Sequence, residues 1–301
     1  MHDIAVIGGG SGGYAAAIRA AQLGANVVLV ECAETGGTCV NRGCIPSKVW
    51  LRAADLLGRL RAGAEFGINA SVKEIDFKAI VARKSGVSAE IRMGMEALLQ
   101  NNAVEVVQGR AVIKSPQEVA VGGRIIKAKK IIIATGSSLS APPIAGLDKA
   151  AMTTDDVLEM TAVPESILIC GFGYIEIEMA FLLNTFGCKV VMAAESAKIL
   201  PKEDSDTSQR VAQALREMGV KIIPRTSLES VKTTRTGSTC ILAGPKEQSV
   251  EVEKILVSGR APNTSDLGLK KLGVSLNEDK GIRTNDLLET SAEGMYAIGD
   301  A

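Results

Sequence analysis

One pattern occurs twice in this chain and limits what it can fold into. An apolar run, Ile4-Ala5-Val6-Ile7, leads into Gly8-Gly9-Gly10-Ser11-Gly12-Gly13, and an alanine-rich stretch continues to about Leu23. Gly24 ends that stretch, and Val27-Val28-Leu29-Val30 closes on Glu31. The periodicity predicts strand, turn, helix, strand. Gly8, Gly10 and Gly13 make a Gly-x-Gly-x-x-Gly turn. There the first glycine bends the chain, the second lets backbone approach a diphosphate, and the third lets helix and strand touch. Ser11 and Gly12 open the helix, whose N-terminus favours phosphate. An acid about 20 residues on accepts ribose hydroxyls, and Glu31 fits.

The second copy runs from Ile167-Leu168-Ile169-Cys170 through Gly171-Phe172-Gly173, a helix to about Phe186, Gly187, and a strand at 190–193. Its register puts Ala194 where Glu31 stands in the first copy, with Glu195 one step further. Glu176 takes the place of the third glycine. Its side chain is expected to crowd helix against strand and to set negative charge near a diphosphate. The fold class predicted is α/β, with two Rossmann-like dinucleotide domains and β-meander additions.

Between and after the copies, helices are predicted over 47–60 and 76–100. Strands are predicted at 104–107, 118–121, 124–126 and 131–133. Gly122-Gly123 reads as a tight hairpin turn, and Pro142-Pro143 as part of a linker. Asp204 is expected to cap a helix ending near Met218-Gly219. Strands follow at 220–223, 239–243 and 250–257. Trp50, the only tryptophan, reads as core.

A chain of 301 residues suits two domains. Its formal net charge is zero, which favours neither nucleic acid nor an anionic membrane. No apolar run approaches the ~20 residues of a membrane-spanning helix. The chain enters its first strand with no basic, cleavable leader, so a cytoplasmic protein is expected. Six cysteines are too few for a disulfide scaffold. Cys32, Cys170, Cys188 and Cys240 read as buried small hydrophobes.

The other two cysteines lie in Gly36-Gly37-Thr38-Cys39-Val40-Asn41-Arg42-Gly43-Cys44-Ile45-Pro46-Ser47-Lys48. A disulfide between them closes a small ring and gains little from loop-closure entropy. Such a bond suits redox chemistry better than stapling. The spacing alone fits two ordinary buried thiols equally well.

The whole stretch resembles the redox-disulfide signature of the class I pyridine nucleotide-disulfide oxidoreductases, a flavoprotein family. Met295-Tyr296-Ala297-Ile298-Gly299-Asp300 is similar to its late flavin-binding motif. The segment from Leu256 to Asn263 is similar to its strand and loop near the nicotinamide. The resemblance implies an FAD-binding domain over 1–147, completed by 271–301, and an inserted NAD-binding domain over 148–270. It implies that the motif lies on a helix beside the flavin. Cys44 would be the thiol nearest the flavin, Cys39 the thiol that meets substrate, and Lys48 would lie by the flavin and pair with Glu178. FAD would be held by Gly8, Gly10, Ser11, Gly12, Gly13, Glu31, Thr38, Lys48, Ala111, Thr135, Gly136 and Asp300. NAD would be held by Gly171, Gly173, Tyr174, Ile175, Glu178, Glu195 and Gly259. No metal is expected.

Within the family the wording is most like dihydrolipoamide dehydrogenase, with a small-molecule or carrier-bound dihydrolipoyl dithiol as substrate and a homodimer as assembly. Mercuric reductase-like and glutathione reductase-like flavoenzymes are the alternatives. A small thioredoxin reductase would carry its thiols in the nicotinamide domain instead. The family continues into an interface domain that supplies a His–Glu pair to the neighbouring subunit. This chain has one histidine, His2, ahead of the first strand. A flavin-binding fragment with little turnover is therefore a further expectation.

Overall fold

The computed structural model describes residues 1–235 and 237–301. Strand β1 (His2–Ile7), helix α1 (Ser11–Gln22) and β2 (Val27–Glu31) form the first copy of the pattern. Every residue of β2 is buried, as a parallel strand covered on both faces requires. Gly24 stops α1 with φ +89°. Next come α2 (Gly37–Arg42), α3 (Cys44–Ala62), α4 (Phe77–Asn101), β3 (Glu105–Gln108), β4 (Ala111–Ser115), β5 (Glu118–Val121), β6 (Arg124–Ile133) and the short β7 (Ser137–Leu139). The main sheet has the order β3-β2-β1-β6-β5-β4. Gly122 and Gly123 both take positive φ, +52° and +86°, the requirement of a two-residue hairpin turn.

Two expected strands, at 124–126 and 131–133, are one. The first half of β6 pairs antiparallel with β5, and the second half lies parallel to β1, with Ile7 opposite Ile133. Strand β4 was not anticipated.

The second copy is built from β8 (Ala151–Thr153), α5 (Thr154–Glu159), β9 (Ser166–Cys170), α6 (Tyr174–Thr185), β10 (Lys189–Ala194), α7 (Ser205–Glu217) and β11 (Lys221–Pro224). A meander follows: β12 (Ser227–Thr233), β13 (Ser238–Ala243) and β14 (Gln248–Val252), then β15 (Lys254–Val257). The parallel sheet has the order β11-β10-β9-β15-β8. The expected strand over 250–257 is broken at Glu253. Its amide bonds to the Ser166 carbonyl at 3.2 Å and to the Ser166 hydroxyl at 3.0 Å. That anchor turns the chain out of the antiparallel meander and into the parallel sheet. Finally β16 (Arg260–Pro262) pairs with β7, and β17 (Met295–Ala297) lies parallel to β6.

Packing divides the chain into two units. One contains Met1–Pro46, Ser85–Leu139 and Arg260–Ala301, the other Ser47–Lys84 and Ser140–Gly259. In the first, Val28 and Val30 face one core with Ile131 and Met295, while Val27 and Leu29 face another with Ala17 and Leu99. This is the side-chain alternation of a strand sandwiched between layers. Residues 47–84 lie within the span expected as one FAD domain, yet they pack in the second unit. Trp50 explains why: it is fully buried, stacks with Phe77, meets Phe186 edge-on, and donates its indole N–H to the Leu158 carbonyl at 3.0 Å. Among the described residues no helix is long and apolar enough to cross a membrane.

Candidate active site

In the first unit the ends of β1, β2 and β6 open on a cleft. Gly8, Gly10, Glu31, Thr38, Ala111, Thr135 and Gly136 line it, with Cys32, Arg42, Arg110 and Asn263 around them. The turn has no room for side chains. A Cβ at Gly8, where φ is +103°, would lie 2.2 Å from the Ala134 carbonyl oxygen, and one at Gly13 would lie 1.8 Å from that of Gly8. Gly10 precedes α1 without a side-chain cap, so first-turn N–H groups stay available to an anion. Ser11 and Gly12 begin that helix but do not line the cleft.

Glu31 is buried, and its carboxylate spans two backbone amides. It accepts from Gly9 at 2.6 Å and from Ala33 at 2.7 Å. Each oxygen keeps a lone pair for a hydroxyl. A bare glycine turn and a fixed acid at the end of the second strand fit a dinucleotide such as FAD. Asp300 is exposed and outside the lining, but it accepts a 3.2 Å hydrogen bond from the Ser137 hydroxyl, which is in the lining.

The cysteine motif is not one helix. Cys39 lies in α2, Gly43 interrupts at φ −135° and ψ −110°, and Cys44 is the first residue of α3. Cys39 is half-buried and Cys44 exposed. A helix N-terminus favours an anion such as a thiolate. Asn41 ties the preceding loop, donating to the carbonyls of Thr35 and Gly37 at 3.1 and 3.0 Å, and Arg92 donates to Asn41 at 3.0 Å.

Sequence reasoning passed over Asn41, Arg92 and Arg260. The Arg260 guanidinium donates to the Ser137 hydroxyl at 2.8 Å and to Thr38 at 3.3 Å. Asn263 also holds the cleft wall: its amide donates to the Thr135 carbonyl at 3.0 Å. Both lie in the segment that resembles the family's nicotinamide loop, but they belong to the first unit. Their signal was the break at Gly259, where a Cβ would lie 2.5 Å from the Ser140 carbonyl oxygen.

Cys32 corrects an expectation. It is exposed at the cleft because β2 has ended one residue earlier. Partial desolvation, then the Glu31 carboxylate, push its thiol up. Cys188 and Cys240 are buried and Cys170 half-buried; desolvation pushes them up to about 12, 11 and 12 respectively.

In the second unit Lys48 and Glu178 meet, Nζ to Oε1 2.5 Å. Tyr174 is 70% exposed at the first position of α6, which rules out a core role, and Ile175 packs in the unit's core. Gly171 takes φ +135°. Strand β10 ends at Ala194, and exposed Glu195 follows it outside the strand.

Residues 2–301 match the family of pyridine nucleotide-disulphide oxidoreductases. The chain belongs to that family. Its members use FAD and NAD(H). The chain is 39% identical to a dihydrolipoyl dehydrogenase of Acholeplasma laidlawii over 99% of this chain and 89% of the relative. It is 37% identical to one of Thermus scotoductus, over 99% and 66%. A leghemoglobin reductase of Vigna unguiculata is 35% identical, over 99% and 60%. Among solved structures, the HOCl-induced flavoprotein disulfide reductase RclA from Escherichia coli superposes with a TM-score of 0.85 at 28% identity, over 99% and 66%. Against several family members the chain therefore spans about two thirds of their length or less.

Proposed function

We propose that this protein is a dihydrolipoyl dehydrogenase-type enzyme, exchanging electrons between NAD(H) and a dithiol through FAD and the Cys39–Cys44 pair. The observation that carries the reading is the cysteine pair set around Gly43, with Cys44 at the head of α3 and Thr38 of the same motif on the cleft wall. The first unit, residues 1–46, 85–139 and 260–301, is assigned to FAD, and the second, residues 47–84 and 140–259, to NAD(H). When bound, FAD supplies two-electron transfer between a nicotinamide and a disulfide. Glu31 holds ribose hydroxyls, the glycine turn at Gly8 and Gly10 holds the diphosphate, and Asp300 serves the ribityl chain. Lys48 is held by Glu178 within the second unit, and Glu195 serves the nicotinamide nucleotide's ribose. A thiolate of the incoming dithiol attacks Cys39 of the Cys39–Cys44 disulfide, and Cys44 leaves as the thiolate that the α3 N-terminus favours; the substrate's second thiol then releases Cys39 and closes the substrate disulfide. A carrier-bound dihydrolipoyl group as substrate, a homodimer and a cytoplasmic location complete the proposal.

The test is direct. Purified protein should be yellow, should release FAD on denaturation, and should bleach with NADH under anaerobic conditions. A colourless protein that takes up no added FAD would refute the reading.

A further inference from the structure

Gly13 stands five positions after Gly8, and Glu176 five after Gly171. At Gly13 no side chain fits. At Glu176 a whole side chain does, and it is 9% exposed. It fits because it folds back against its own glycine turn. A Cβ at Gly171 would lie 2.9 Å from Glu176 Cγ, and one at Gly173 would lie 2.6 Å from Glu176 Oε2. The Ser258 hydroxyl donates to Oε1. Among the described residues no lysine or arginine forms an ion pair with it. Gly173 offers no side-chain cap to α6. The positive end of a 12-residue helix thus has a carboxylate tucked into its first turn.

We propose that Glu176 is a charge-specificity residue of the second turn, lowering its affinity for diphosphate-bearing ligands and leaving the adenosine end to supply most of the binding. This rests on the reading of the second unit as the NAD(H) unit. An ordinary glycine turn gains affinity from a diphosphate, because amides and helix N-terminus face it. Here the diphosphate would meet a like charge in a water-poor setting, where Coulomb repulsion is weakly screened. Glu176 Oε2 lies 2.6 Å from where a Cβ at Gly173 would stand, so the side chain also takes up space at the turn, and the isosteric Glu176→Gln separates charge from bulk.

The test is calorimetric titration of the FAD-loaded protein with adenosine and with ADP-ribose, in the native chain, Glu176→Gln and Glu176→Ala. In the native chain ADP-ribose should bind no tighter than adenosine. Glu176→Gln keeps size and an acceptor for Ser258; it should tighten ADP-ribose roughly tenfold and leave adenosine within about twofold. Glu176→Ala should match it. Native ADP-ribose binding already far tighter than adenosine, or tightening by alanine but not by glutamine, would overturn the charge assignment while leaving the NAD(H) reading intact. If no protein binds either ligand, the NAD(H) reading fails and takes this inference with it.

Discussion

Glu31 and Glu176 show how one residue type takes opposite roles at two related turns. Glu31 lies at the end of β2, bonded to two amides with lone pairs to spare. Glu176 lies inside a helix's first turn, held by one hydroxyl. The two cysteines are likewise separated by position rather than chemistry, Cys39 within α2 and Cys44 heading α3. Two-electron reduction of the FAD-loaded protein should therefore give a long-wavelength absorbance band from a thiolate beside oxidised flavin. Cys44→Ser should abolish the band and Cys39→Ser should retain it. Identical spectra from the two variants would show the roles to be wrongly divided.

At the scale of the element, the glycine turn of the first unit is set by contact. The Gly13 site leaves 1.8 Å to the Gly8 carbonyl, so Gly13→Ala must push α1 off β1. Overpacking of this kind costs about 1–3 kcal/mol, and chemical denaturation with FAD titration should show both lost stability and weakened flavin binding. In the second unit, α7 begins at a cap. Asp204 accepts from the Thr207 amide at 2.8 Å and from its hydroxyl at 2.7 Å. Those bonds, the backbone one first, hold the Asp204 carboxyl below its ordinary value. A lowered folded value means the contribution is complete above the unfolded carboxylate pKa, near pH 4, and is lost as pH falls through the folded value. Asp204→Asn keeps an acceptor, so its melting temperature should match the native at neutral pH. Between neutral pH and about pH 3 it should fall less steeply than the native.

Across these 301 residues the decisive count is histidine. His2 is the only one, and it sits at the start of β1, bonded to Asn26 and Glu105. General acid–base help is worth about 10²–10⁴ in rate, and these 301 residues offer no other imidazole for it. Turnover of dihydrolipoamide by this chain should be weak by about that factor, while artificial acceptors that take electrons straight from flavin should suffer less. Steady-state rates with both acceptor types, in one preparation, check this. Full lipoamide turnover would contradict it.

The sequence by itself determined the repeated strand–turn–helix–strand units, because buried parallel strands and glycine turns leave local signatures in hydrophobic runs and residue type. It also carried the cysteine motif and the departure at Glu176. Tertiary structure decided the rest. The fusion of two expected strands into β6 and the break at Glu253 depend on which partner strand each segment meets, and that information is not local. The grouping of residues 47–84 depends on where Trp50 finds a core. Cys32 faces the cleft because β2 stops at Glu31, one position before it. Arg260 and Asn263 reach Ser137 and Thr135 across more than a hundred residues of chain. Glu176 shows the limit most sharply: its presence was legible, but only packing could turn its carboxylate against the glycines instead of into solvent.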